Sequence, residues 1–111
     1  MILEIRHYKI KPGQREEFIT FFEQTNRKAL RDAGMLVFGP LRDLDDQDKV
    51  HWMRAFESLD AREKIKASFY EGTVWEKDIE PIAMDLIVHM ESELTETTSE
   101  FESFGGTKSL I

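Results

Sequence analysis

Residues 4–22, EIRHYKIKPGQREEFITFF, change period halfway. Before Pro12-Gly13 the side chains alternate with period 2, which reads as a strand over Ile2 to Ile10. One face of that strand holds Leu3, Ile5, His7 and Lys9; the other holds Ile2, Glu4, Arg6, Tyr8 and Ile10. Pro12 fixes φ and Gly13 permits the turn. After them Gln14 to Asp32 reads as a helix, with an inner stripe of Phe18, Phe22, Thr25, Ala29 and Ala33. Glu16 and Glu17 lie in its first turn, and Arg27, Lys28 and Arg31 lie late, as the helix dipole favours. Gly34 suits the C′ position. A strand whose only task is to be covered by a helix has no need of Glu4, Arg6 and Tyr8 in a row.

Outward from this unit the same order repeats. Met35 to Leu44 reads as a second strand, and Gly39-Pro40 inside it predicts an edge position or a bulge. Asp43 to Asp48 reads as a polar turn. In the third strand, Val50 to Glu57, one face carries Val50, Trp52, Arg54 and Phe56. Asp60 and Glu63 have the spacing of a capping box, so the second helix is expected to start there, with Ala61, Ile65 and Phe69 inside. Gly72 interrupts it, Thr73 to Glu80 reads as one more short helical segment, and Pro81 is expected to stop it. A last strand is then expected over Ile82 to Leu94. Two βαβ units in succession predict an α+β domain over residues 1–94: a ferredoxin-like split βαβ repeat with a four-stranded antiparallel sheet. Residues 95–111 read as an acidic tail or arm.

The 111 residues fit one domain, and a chain of this size buries roughly 65% of its unfolded surface, enough for a core without staples. There is no cysteine, which removes disulfides, thiolate metal sites and thiol nucleophiles together. Of the net charge of −7, residues 91–111 carry −4 (five Glu against Lys108), so the body is nearly balanced. No basic stripe suggests a nucleic-acid partner. The start lacks the apolar run of a signal peptide, and no run approaches the ~20 apolar residues of a membrane span, so a cytoplasmic location is expected.

Three stretches carry a family resemblance: LEIRHYKIKPGQREEFITFF (3–22), HWMRAFESLDAREK (51–64) and IVHMESEL (87–94). Together they resemble the NIPSNAP family, a branch of the dimeric α+β barrel superfamily, over residues 1 to about 94. The most specific parts are Glu4-x-Arg6-x-Tyr8 leading into Lys11-Pro12-Gly13, and the Glu57-Ser58-Leu59-Asp60 junction. The resemblance implies a homodimer whose two sheets close a barrel-like cavity. It brings no settled activity. Related branches include cofactor-free monooxygenases, small-molecule isomerases and haem enzymes.

The residues themselves agree with a covered second sheet face, because both parities of the strands are apolar in part. Facing such an enclosed space, Arg6 could bind an anionic or enolate oxygen, Tyr8 donate a hydrogen bond, and Glu4 orient Arg6 or act as a base. The bland alternative is an ion-paired patch inside the dimer interface. His89, with Asp85 four residues before it, is the best histidine for a general base, which makes Arg6, Tyr8 and His89 the catalytic candidates. Glu4, Trp52 and Arg54 are the ligand-binding candidates. No metal site and no cofactor are expected, and residues 61–80 hold no histidine of the kind haem branches use on a helix. The leading reading is a small-molecule-binding homodimer, with oxygenase-like or isomerase-like chemistry. The alternative is a non-enzymatic interaction protein that recruits partners through the dimer surface and the C-terminal arm; a third reading is a higher assembly in which the arm straps neighbouring dimers together.

Overall fold

A computed structural model describes residues 1–98. The chain forms β1 (Ile2–Ile10), α1 (Arg15–Phe21) running through a π-helical turn (Phe22–Asn26) into α2 (Arg27–Asp32), β2 (Leu36–Arg42) and β3 (Lys49–Phe56). Then follow α3 (Leu59–Tyr70), a second π-helical turn (Trp75–Ile79), α4 (Glu80–Leu86) and β4 (Ile87–Glu96). The sheet has the order β2-β3-β1-β4 with every neighbouring pair antiparallel, the ferredoxin-like arrangement expected from the repeat.

The core lies between one face of this sheet and the helices. Ile10, Phe18, Phe22, Val37, Val50 and Ile79 are fully buried there. Burying each large apolar side chain contributes about 1.5–3 kcal/mol relative to leaving it in water. Phe22 packs on Trp52 with ring centroids 5.0 Å apart, joining the first helix to the centre of the sheet. The helix ends in a Schellman motif: Gly34, at φ +105°, donates to the Arg31 carbonyl and Met35 donates to the Leu30 carbonyl.

Four details depart from expectation, each for a local reason. First, the buried stripe of the first helix runs Phe18, Phe22, Asn26, Leu30, and Thr25 and Ala29 are only partly covered. The π turn widens the helix by one residue, so a strict four-residue spacing stays on one face. Second, the cap of α3 is Ser58, whose Oγ accepts the Ala61 N–H at 3.0 Å, while Asp60 lies already inside the helix. Third, Pro81 begins a helix instead of ending one, because in the first turn its missing N–H has no intrahelical partner to lose. Fourth, Ile82, Met84 and Leu86 are therefore helical, and Ile79, Ala83 and Leu86 are buried at i, i+4, i+7. β4 starts at Ile87 and continues to Glu96. Residues 99–111 of the expected arm lie outside the described residues.

β2 is an edge strand, and its register with β3 shifts between Phe38 and Leu41, around Gly39-Pro40. Gly39 has φ +109°, and a Cβ there would lie 3.0 Å from the Trp52 Cβ. Glycine at this position lets the edge strand press against the back of Trp52.

Candidate functional site

Glu4, Arg6 and Tyr8 pair across β1 and β3 with Arg54, Trp52 and Val50. Period 2 puts all six on one sheet face. That face is the one the helices cover, not a face turned toward a second sheet, which corrects the expected direction of the row. The reason is Glu4, which finds its counter-charges within the chain and so can be buried. Arg54 donates from Nε to Glu4 Oε1 and from Nη2 to Oε2, both at 3.0 Å. Arg62, from α3, donates to Oε1 at 3.0 Å, and Arg6 donates to Oε2 at 2.6 Å. Burial alone would raise the carboxyl's pKa, but the hydrogen bonds from Arg54 and Arg62, the Arg54 charge and the Arg6 bond outweigh it and hold the pKa at about 2. Glu4 is thus held as an anion with low proton affinity.

Arg6 is next in the network. Its Nη2 donates to the Tyr8 hydroxyl at 3.2 Å, and its guanidinium lies 5.7 Å from the Trp52 ring centroid. Burial works against its charge, while Tyr8 and Glu4 together hold its pKa above the ordinary arginine value. Arg54 Nη1 donates to the Tyr70 hydroxyl at 2.9 Å, which ties α3 to the sheet.

Between this floor and the helices lies a cavity of about 420 Å³. Arg6, Tyr8, Trp52 and Arg54 line it from the sheet. Asn26 and Leu30 line it from the first helix, and Phe69, Tyr70 and Trp75 form an aromatic wall. Tyr70 and Trp75 meet edge to face with centroids 4.8 Å apart. The two π-helical turns supply Asn26 and Trp75 to the cavity. π turns recur at functional sites because the extra residue turns a chosen side chain inward. Asn26 has no counterpart in the sequence reading. Its signal is the four-residue spacing Phe18-Phe22-Asn26-Leu30, which a 3.6-residue period masks.

His89 does not join this group. It pairs with Lys9, so it belongs to the opposite sheet face, where it is exposed and its Nε2 lies 3.1 Å from Glu91 Oε1. Asp85, its expected partner, sits on α4 and accepts from Lys11. The other two histidines also lie on that open face, in a hydrogen-bonded chain. His7 Nε2 is 2.8 Å from Glu93, the His7 and His51 Nδ1 atoms are 2.8 Å apart, and His51 Nε2 is 2.7 Å from Asp43. The His51 bond, with the backbone N–H of Asp46, lowers the Asp43 pKa to about 2.

The NIPSNAP family model matches residues 3–100, nearly the whole chain. The chain belongs to the NIPSNAP family. Solved structures show the same fold. A NIPSNAP domain protein from Burkholderia xenovorans superposes with a TM-score of 0.80 at 17% identity, covering 89% of this chain and 96% of its own. A NIPSNAP family protein from Agrobacterium tumefaciens gives 0.78 at 22% identity, covering 88% and 86%. A putative antibiotic biosynthesis monooxygenase from Nitrosomonas europaea gives 0.66 at 16%, covering 87% and 98%. A comparison with curated proteins found no match. No helix among the described residues of this NIPSNAP chain is long and apolar enough to cross a membrane.

Proposed function

We propose that this NIPSNAP chain binds a small organic molecule in the cavity between its sheet and its helices, and acts as a cytoplasmic homodimer whose open sheet faces pack together. The observation that carries the reading is the meeting of Arg6, Tyr8, Trp52 and Arg54 in one cavity of small-molecule size. The chemistry that suits these groups is stabilisation of an oxyanion by fixed donors, as in isomerase-like or cofactor-free oxygenase-like reactions that pass through an enolate. The fold shared with a putative antibiotic biosynthesis monooxygenase is in keeping with that class. With Glu4 locked between guanidiniums, a substrate acidic enough to ionise readily is the best match. Apolar positions on the open face, Leu36, Phe38 and Met53, support its being covered by a second copy.

A thermal-shift screen of ring-sized fragments tests the reading. Fragments that raise the melting temperature of the wild type are expected to lose that effect in Met84→Trp, which fills the cavity wall from a half-exposed position. A screen without a single stabilising fragment would count against a ligand site.

A second reading, a non-enzymatic protein that recruits partners through its surface and the C-terminal arm, rests on the exposed apolar side chains Val88, Met90 and Leu94 of β4. Pull-downs with and without residues 99–111 test it, and identical partner sets would argue against recruitment by the arm.

A further inference from the structure

We infer that the cavity's ligand is a small carboxylic acid with an apolar, ring-sized body and a hydrogen-bond donor close to its carboxylate. The inference rests on the small-molecule reading above and adds the ligand's charge and polar pattern. Two independent observations carry it.

The first is a charge count. Arg6, Arg54 and Arg62 converge on the single buried carboxylate of Glu4. Arg62 has a further partner in Glu63. With Arg62 balanced by Glu63, away from the cavity lining, Arg6 and Arg54, which do line the cavity, share the one carboxylate of Glu4 behind them, which leaves one positive charge in excess. Lys66 lines the same cavity and has no carboxylate partner among the described residues. Buried positive charge without a matching anion is unfavourable, and a bound monoanion would neutralise it.

The second is a set of unsatisfied polar atoms. Arg6 Nε, Trp52 Nε1 and Asn26 Oδ1 are buried and have no hydrogen-bond partner. All three residues line this cavity. Native interiors leave few such atoms, and three of them sit on residues that line one cavity, so a ligand that settles against these side chains can supply their partners. Two N–H donors ask for acceptor oxygens, and a carboxylate supplies two. The Asn26 oxygen asks for a donor, such as a hydroxyl. The remaining wall, Leu30, Phe69, Trp75 and Met84, takes an apolar body.

Isothermal titration with matched probes tests this on the full chain: mandelate, 3-phenyllactate and indole-3-lactate, each against its primary amide. The acids are expected to bind about tenfold or more tightly than the amides. Trp52→Phe keeps an aromatic side chain and removes one donor, and is expected to narrow that preference. Arg6→Gln, checked for an intact fold by circular dichroism, is expected to abolish it. Amides that bind as well as their acids would overturn the anionic assignment and leave the cavity a ligand site. Failure of both series to bind would overturn the ligand reading itself, and the assignment with it.

Discussion

Arg54 and Glu4 stand directly opposite each other on β3 and β1, and Arg54 donates two parallel hydrogen bonds to the Glu4 carboxylate, each 3.0 Å long, at 1% and 0% side-chain exposure. Breaking a buried pair from one side leaves the other charge uncompensated, which costs about 3–5 kcal/mol. The two sides are not equivalent. Glu4→Met orphans Arg54 and strips Arg6 and Arg62 of their shared acceptor, whereas Arg54→Met leaves Glu4 with two guanidiniums. Urea unfolding is expected to rank Glu4→Met as the more damaging variant.

The same carboxylate makes stability depend on acid. Its folded pKa of about 2 lies below the ordinary 4.5, so the unfolded chain binds the proton more readily. The stabilisation is complete above about pH 4.5 and is lost as pH falls through about 2. Asp43, held at about 2 against 3.8, acts with the same sign. Urea midpoints measured from pH 6 to pH 2 are expected to fall below pH 4.5, and less steeply in Glu4→Gln.

Asn26 offers a trade between stability and binding. Its buried Oδ1 lacks a partner, so Asn26→Leu, with the same heavy-atom branching, removes an unsatisfied acceptor. A gain of about 1–2 kcal/mol is expected. The same change is expected to weaken binding of hydroxyl-bearing acids and spare acids without the hydroxyl. Thermal melts and titrations of one preparation check both halves.

Gly39→Ala probes the back of the pocket floor. The substitution forces a side chain into φ +109° and sets its Cβ 3.0 Å from that of Trp52. A loss of about 1–3 kcal/mol is expected. A shifted tryptophan fluorescence maximum would report displacement of Trp52; an unmoved spectrum with full stability would refute the contact.

Much of the site is legible in the sequence because a strand's period is fixed at 2. The parity of β1 and β3 alone places Glu4, Arg6, Tyr8, Trp52 and Arg54 in two single-face rows. Which face the helices cover is not legible, since Leu3, Ile5, Met53 and Ala55 make the other parity apolar as well. Pairing of Glu4 with Arg54, a contact across 50 residues of chain, decides it. Asn26 is hidden for a different reason: a π turn changes the helical period locally, and no residue type announces it. His89 is misplaced because Ile82-x-Met84-x-Leu86 alternates like a strand while folding as a helix. The register shift beside Lys9 and Ile10 then sets which face each later residue of β4 takes.

The Glu4 cluster also acts as a key for strand alignment. A slip of two residues between β1 and β3 would preserve every face, so hydrophobic patterning alone does not forbid it. In one direction the slip would set Arg6 opposite Arg54, two buried like charges; in the other it would set Ile2 there and leave Glu4 facing Trp52. Either misalignment would separate the carboxylate from its bidentate partner in the low-dielectric interior. The cluster that shapes the pocket thereby excludes the nearest wrong sheets during folding, and the pocket and the strand alignment stand or fall together.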